Sequence, residues 1–182
     1  MGKGYKIIFW GLFFCTFHIN LGPLPILPPF LGWIIIASGV DILYHDKVDL
    51  NIKKASYFAY ANAGLTFLSF MMDFTGFNHD LLMYYVIVVE LIKFMFVYYL
   101  LVGSITYLRD INRMEEVSRY SQILSSFMVI FILNTLLAGV GITINHGSLM
   151  GIVAITGVLL TIWLMFVVRG LWKMVEGYEQ VS

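Results

Sequence analysis

Long apolar runs alternate with short polar connections along this chain, and their length is the clearest signal of its fold. A membrane-spanning helix needs about 17 to 25 mostly apolar residues. Four of the six apolar segments reach that length, whereas the first two are short. The pattern therefore predicts an all-α fold, a polytopic transmembrane helix bundle. The six segments lie approximately at residues 5–20, 30–44, 55–72, 81–107, 120–143 and 149–171.

A proline-rich window joins the first two segments. No charged residue lies between Lys6 and Asp41, so this break in the chain is itself apolar. Proline removes a backbone donor and clashes with a continuing helix, so the window cannot be helical throughout. Because unpaired backbone facing lipid is costly, we expect a turn embedded at the outer face and packed against protein. Whether the two short segments span fully stays open. The prolines of the turn are Pro23, Pro25, Pro28 and Pro29.

Basic residues mark one side of the predicted bundle. Ten of the eleven Lys and Arg residues flank the segments on that side, and the connections at 21–29, 73–80 and 144–148 contain none. The positive-inside rule then places both termini in the cytoplasm. The composition agrees, because 60% of the residues are hydrophobic and 12% are charged. All 182 residues form a single integral membrane domain with the lipid bilayer as its first partner, and a net charge of zero argues against nucleic acid.

Two ionisable residues interrupt the fourth apolar segment. Glu90 and Lys93 lie near its middle, and at a spacing of three residues they share one helix face. Ionised groups at membrane depth normally face the bundle interior and pair. Asn134 lies in the middle of the fifth segment and Asn62 in the third, where Thr66 continues the same face. These residues predict a polar interior that serves as a substrate or ion pathway, with a purely structural ion pair as the alternative.

Small residues predict where helices approach closely. Ala55, Ala59 and Ala63 form one stripe in the third segment, and Gly147 and Gly151 open the sixth. Such stripes allow backbones to come together, and packing within the chain is the default, with a second copy or a partner membrane protein as the alternative. No metal-binding spacing and no hydrolase or nucleotide-binding motif is present, so we expect no metal, no cofactor and no enzymatic activity.

The first hairpin carries a resemblance. Phe17-His18-Ile19-Asn20 and the later run Leu27-Pro28-Pro29-Phe30-Leu31-Gly32-Trp33 are similar to the opening of a group of small bacterial multi-pass membrane proteins. That group reads approximately Ile-Asn, a short gap, then Leu-Pro-Asp-Phe-Ile-Gly-Tyr. This chain has Pro29 in place of the acid and Trp33 in place of the tyrosine. The resemblance implies a bacterial inner (plasma) membrane location, and the group has no assigned activity that would name a substrate.

Three functions fit this sequence. The first is a small membrane protein that binds or transports a small solute through the polar interior. The second is a non-catalytic scaffold or an assembly or regulatory subunit, in which Glu90 and Lys93 only fix helix register. The third rests on architecture alone, because substrate-binding subunits of energy-coupling-factor vitamin transporters also have six spans and about this length.

Overall fold

Six α-helices and one short β pair make up the described part of the chain. The computed structural model describes residues 1–17, 20–21, 24–25, 28–47, 49–75, 79–144 and 147–179. Each predicted segment corresponds to one helix. The helices are α1 (Gly2–Thr16), α2 (Pro29–Asp46), α3 (Leu50–Thr75), α4 (His79–Asp110), α5 (Met114–Thr143) and α6 (Gly147–Glu179).

Three of these helices are long and apolar enough to cross a membrane, as expected of a membrane protein. They are the Ile87–Asp110 part of α4, α5, and the Gly147–Tyr178 part of α6. Most helices extend past the apolar runs at one or both ends, because the polar residues beside an apolar run can continue the helix. The first segment also extends at its start, to Gly2, but falls short at its other end. Its helix ends at Thr16, and Asn20, predicted within the segment, lies in a strand.

The six helices form a closed ring in chain order. Each helix packs against the next one along the chain, and α6 returns to pack against α1. The short connections make chain neighbours antiparallel. The stretch from Arg109 to Arg119 contains the end of α4 and the start of α5, and only residues 111–113 lie between the two helices. Asn112 reverses the chain there with φ of 58°, a left-handed conformation that asparagine tolerates.

Glycines bring α1 and α2 into backbone contact, a feature that the sequence analysis missed. A Cβ added to Gly39 would lie 2.9 Å from the Gly4 carbonyl oxygen, and one added to Gly11 would lie 2.9 Å from the Gly32 carbonyl oxygen. The four glycines therefore form two facing pairs along an antiparallel hairpin. The signal was the spacing of seven residues in each helix, which keeps both glycines of a helix on one face.

The bundle is most tightly packed in the half that contains the basic residues. The Tyr5 hydroxyl in α1 donates to Ser104 Oγ in α4 at 2.8 Å, and both residues are fully buried. The predicted alanine stripe of α3 is also buried, which confirms packing within the chain. The predicted close approach at Gly147 and Gly151 is wrong for this chain. Among the described residues, no atom lies within 4 Å of a Cβ added at either glycine, whereas Leu149 and Met150, between them, contact Gly141 of α5, so the two glycines face away from α5.

The described residues of the proline window are not helical throughout, as predicted, because Leu24 and Pro25 lie in a strand. Strands β1 (Asn20–Leu21) and β2 (Leu24–Pro25) pair antiparallel, with Asn20 opposite Pro25. Pro28 is the N-cap of α2 and Pro29 its first residue, where a missing N–H costs nothing and the fixed φ suits the helix. Pro23 lies outside the described residues. The fold is therefore a helix bundle with one two-residue β ladder.

Basic side chains lie over aromatic rings at the end of the bundle that we call the basic end. This end contains the N-termini of α1, α3 and α5 and the C-termini of α2, α4 and α6. Lys47 also forms an ion pair with Asp110, which joins the C-terminal ends of α2 and α4. Amphipathic aromatic and basic side chains concentrate at membrane interfaces. The cation–ring pairs are Lys6 with Trp172, Lys47 with Tyr107, Lys53 with Tyr44 and Tyr57, Lys54 with Tyr99, and Arg113 with Tyr178.

Candidate functional site

A cavity of about 520 Å³ lies between the helices in the half of the bundle away from the basic end. All six helices contribute to its wall, which is mostly apolar. Its volume falls within the range of about 300 to 1,000 Å³ typical of ligand pockets. Its lining residues outside α4 include Leu12, Cys15, Thr16, Pro29, Trp33, Thr66, Asn134, Thr135, Ala154 and Thr161.

The short first two helices explain why the space exists. α1 has 15 residues and α2 has 18, whereas α3 to α6 have 26 to 33. At 1.5 Å per residue, α1 is only about 22 Å long, less than the roughly 30 Å of a hydrocarbon core. Its last residues and the first residues of α2 line the cavity. The bundle therefore has six helices at the basic end and four beyond the point where the hairpin stops.

Glu90 and Lys93 face this cavity from α4. Lys93 Nζ lies 3.4 Å from Glu90 Oε1, and the two side chains are 22% and 36% exposed, respectively. Within the described part of the chain, this is the one hydrogen bond that either side chain makes. It is longer than the 2.7 to 2.9 Å typical of a charge-assisted hydrogen bond. The pair is therefore loose, and both charged groups keep free hydrogen-bonding positions.

Asn134 lines the same cavity from α5. A Cβ added to Gly157 in α6 would lie 3.9 Å from Asn134 Nδ2, an ordinary contact distance, so the amide faces α6 at this glycine. Asn134 Oδ1 is buried and has no hydrogen-bond partner among the described residues. A buried acceptor without a donor loses its hydration without compensation. Glu90, Lys93 and Asn134, predicted to share a polar interior, are thus brought together.

Asn62 does not join them. It is fully buried in α3, where its Nδ2 donates to the Phe58 carbonyl at 3.1 Å. It is absent from the cavity wall, although Thr66, one turn farther from the basic end, is present. The shared helix face of Asn62 and Thr66 was correctly predicted. The depth was wrong, because the cavity floor lies between them.

Four threonines on four different helices contribute hydroxyl groups to the cavity. Each hydroxyl donates to the backbone carbonyl four residues earlier in its own helix, so the proton is already used and lone pairs remain for the cavity. Sequence reasoning named only Thr66. The other three threonines could have been found from the sequence, because they lie at a similar distance from the basic end of their segments. The bonds are Thr16 to Leu12 and Thr66 to Asn62, both 2.7 Å, Thr135 to Phe131 at 3.0 Å, and Thr161 to Gly157 at 2.9 Å.

The described residues contain no cluster of metal-binding side chains. No group of three or more His, Cys, Asp or Glu side chains lies close enough there to hold a metal ion. His18 and His146, on the predicted outer side, lie outside the described residues. The site therefore offers a carboxylate, an ammonium, an amide and several hydroxyl oxygens, which suit reversible binding.

Comparison with known proteins does not name a family. No protein-family model, curated protein or solved structure matches this chain. The functional argument consequently depends on the cavity and the residues that line it.

Proposed function

We propose that this protein is a six-span membrane protein of the bacterial inner membrane that binds a small solute in the cavity beside Glu90 and Lys93 and carries it across the bilayer. The observation that supports this proposal is the position of the two charged side chains. They line a cavity of about 520 Å³ that also contains Asn134. A charged residue at the centre of a membrane helix costs about 2.5 to 3.5 kcal/mol on insertion scales, which makes such residues functional candidates.

The geometry of the pair argues against a purely structural role. Both residues belong to α4 and bond to each other within one turn of that helix. An ion pair within one helix does not join two helices, so it contributes little to helix register. The partial exposure of both side chains toward the cavity instead fits groups that exchange partners when a solute enters.

The proposed orientation follows from the basic end. Lysine and arginine side chains lie over aromatic rings there, as in an interface that faces the cytoplasm. With the basic end inside, the cavity belongs to the outer half of the bilayer. The proline window connects the helix ends that line the cavity, and we propose that it forms an embedded turn at the outer face.

A scaffold or assembly subunit is the second candidate, and one observation favours it. Among the described residues, no atom lies within 4 Å of a Cβ added at Gly147 or Gly151, at the start of α6. Such a face lets a partner membrane protein or a second copy approach closely. In that case the partner would pack against α6, and the cavity would not need to bind a solute.

Purification from native membranes separates these two functions. We expect native mass spectrometry to find a small molecule retained by the wild-type protein and lost from the double variant Glu90→Gln, Lys93→Met. Lys54→Met, a charge change at the basic end, serves as the control and should retain the molecule. If no small molecule is retained and a protein partner co-purifies equally with all three proteins, the scaffold function is correct.

A further inference from the structure

The polar groups that line the cavity are mostly hydrogen-bond acceptors. The four threonine hydroxyls donate to their own helices and leave only lone pairs, and Asn134 Oδ1 has no donor among the described residues. Glu90 adds a carboxylate. The donors on the described wall are the Lys93 ammonium, the Asn134 Nδ2 group, the Trp33 indole N–H and the Cys15 thiol, which donates to the Pro29 carbonyl oxygen, so acceptor groups still outnumber donors. This balance favours a ligand group that carries several N–H donors.

The charges of the cavity constrain the rest of the ligand. Glu90 and Lys93 compensate each other, although loosely, at 3.4 Å. A ligand with a single positive charge would occupy Glu90 and leave Lys93 without a counter-charge, and a singly negative ligand would leave Glu90 alone. An uncompensated charge in a poorly hydrated site is strongly unfavourable. A ligand with both charges avoids this penalty, because each side chain exchanges one partner for another.

We propose that the solute is a small zwitterion whose ammonium group carries N–H donors, an inference that rests on the proposed function. The ammonium group binds Glu90 and Asn134 Oδ1, and the anionic group binds Lys93. The apolar wall, which includes Trp33 and Leu12, contacts the remaining part of the molecule. Two sources offer this chemistry, namely free α-amino acids and the ethanolamine phosphate headgroup of a membrane lipid.

The test compares ligands that differ in one charge or one donor set. The full-length protein in detergent is titrated with leucine, N-acetylleucine, leucinamide and N,N,N-trimethylleucine, and binding is followed by thermal stabilisation and calorimetry. Leucine should bind best. The two singly charged derivatives and the trimethylated zwitterion should each bind roughly tenfold more weakly or worse, because each loses hydrogen bonds to a charged group.

Single variants then test which side chain binds which charge of the ligand. Glu90→Gln should shift the preference toward N-acetylleucine, since Lys93 is left without its counter-charge, and Lys93→Met should shift it toward leucinamide. If either single variant fails to fold, the uncharged double variant Glu90→Gln, Lys93→Met replaces it and should bind all four ligands weakly. Thr161→Val should weaken leucine binding, whereas Thr106→Val, which removes a similarly back-bonded hydroxyl outside the cavity wall, should not.

The lipid source is tested in parallel. In nanodiscs that contain equal amounts of phosphatidylethanolamine and phosphatidylcholine, selective retention of phosphatidylethanolamine without leucine binding would support the zwitterion with a lipid as its source. Equal or better binding of a singly charged ligand would overturn the zwitterion, and equal or better binding of the trimethylated ligand would overturn the requirement for N–H donors. Either result leaves the proposed function standing. A protein that binds none of the ligands, retains neither lipid and yields no small molecule from native membranes would overturn both.

Discussion

Replacing Gly11 by alanine is the most direct test of the helix packing. The added Cβ would lie 2.9 Å from both the Gly32 carbonyl oxygen and the Ile36 amide nitrogen. Ordinary van der Waals contact begins near 3.4 Å, so α1 and α2 would have to separate by about 0.5 Å. The Ile36 side chain lies closer still, with its Cγ1 at 2.6 Å, and could change rotamer, but the two other obstructing atoms are backbone and a rotamer change cannot move them. Overpacking of this kind costs about 1 to 3 kcal/mol.

Glycines with free space around them provide controls, because alanine at these positions should not lower the free energy of unfolding. Gly64 in α3 and Gly139 in α5 have no heavy atom of another element within 4 Å of an added Cβ. Alanine at these positions should be neutral or stabilise the protein by up to about 1 kcal/mol, because glycine is a poor helix former. The free energy of unfolding is measured in mixed micelles by titration with dodecyl sulfate and followed by circular dichroism. Equal stability of Gly11→Ala and Gly64→Ala would refute the proposed backbone contact.

Three further outcomes are expected. A reporter enzyme active only in the cytoplasm and fused after Ser182 should be active, and activity of a periplasmic reporter at that position would contradict the orientation. Glu90→Gln should lower stability more than the double change with Lys93→Met, because the single change leaves the partly buried Lys93 ammonium without its carboxylate. Additive effects in a double-mutant cycle would show that the pair does not interact. Asn62→Leu, nearly isosteric, should raise the midpoint of thermal unfolding by removing a buried carbonyl without a donor, whereas a large decrease would reveal a missed partner.

The sequence predicts the six helices well because apolar run length is a property of each segment by itself and does not depend on which neighbour the segment packs against. Glu90, Lys93 and Asn134 were identifiable for the same reason, since polar groups are rare at that depth. Helix ends were less accurate. Apolar length measures the lipid-facing part of a helix, and α6 continues beyond it to Glu179.

Pairwise contacts required the tertiary structure. The glycine contacts between α1 and α2 depend on which helix face meets which, and seven-residue spacing alone does not identify the partner. Asn62 shows the same limit for depth. Asn62 lies on the same helix face as Thr66. The depth of the cavity floor, however, is determined by the ends of α1 and α2, and the sequence of α3 contains no information about them.

The hairpin and the cavity are parts of one arrangement. Close glycine contact lets α1 and α2 fill the basic half of the bundle, and their short length leaves space beyond Thr16 and Pro29, where the α4 charges lie. Gly11 directly precedes Leu12, which belongs to the cavity wall. A separation of about 0.5 Å at Gly11 would therefore change the shape of the binding site as well as the stability. If this arrangement is correct, Gly11→Ala weakens solute binding even where the protein is still fully folded, and Gly139→Ala leaves binding unchanged.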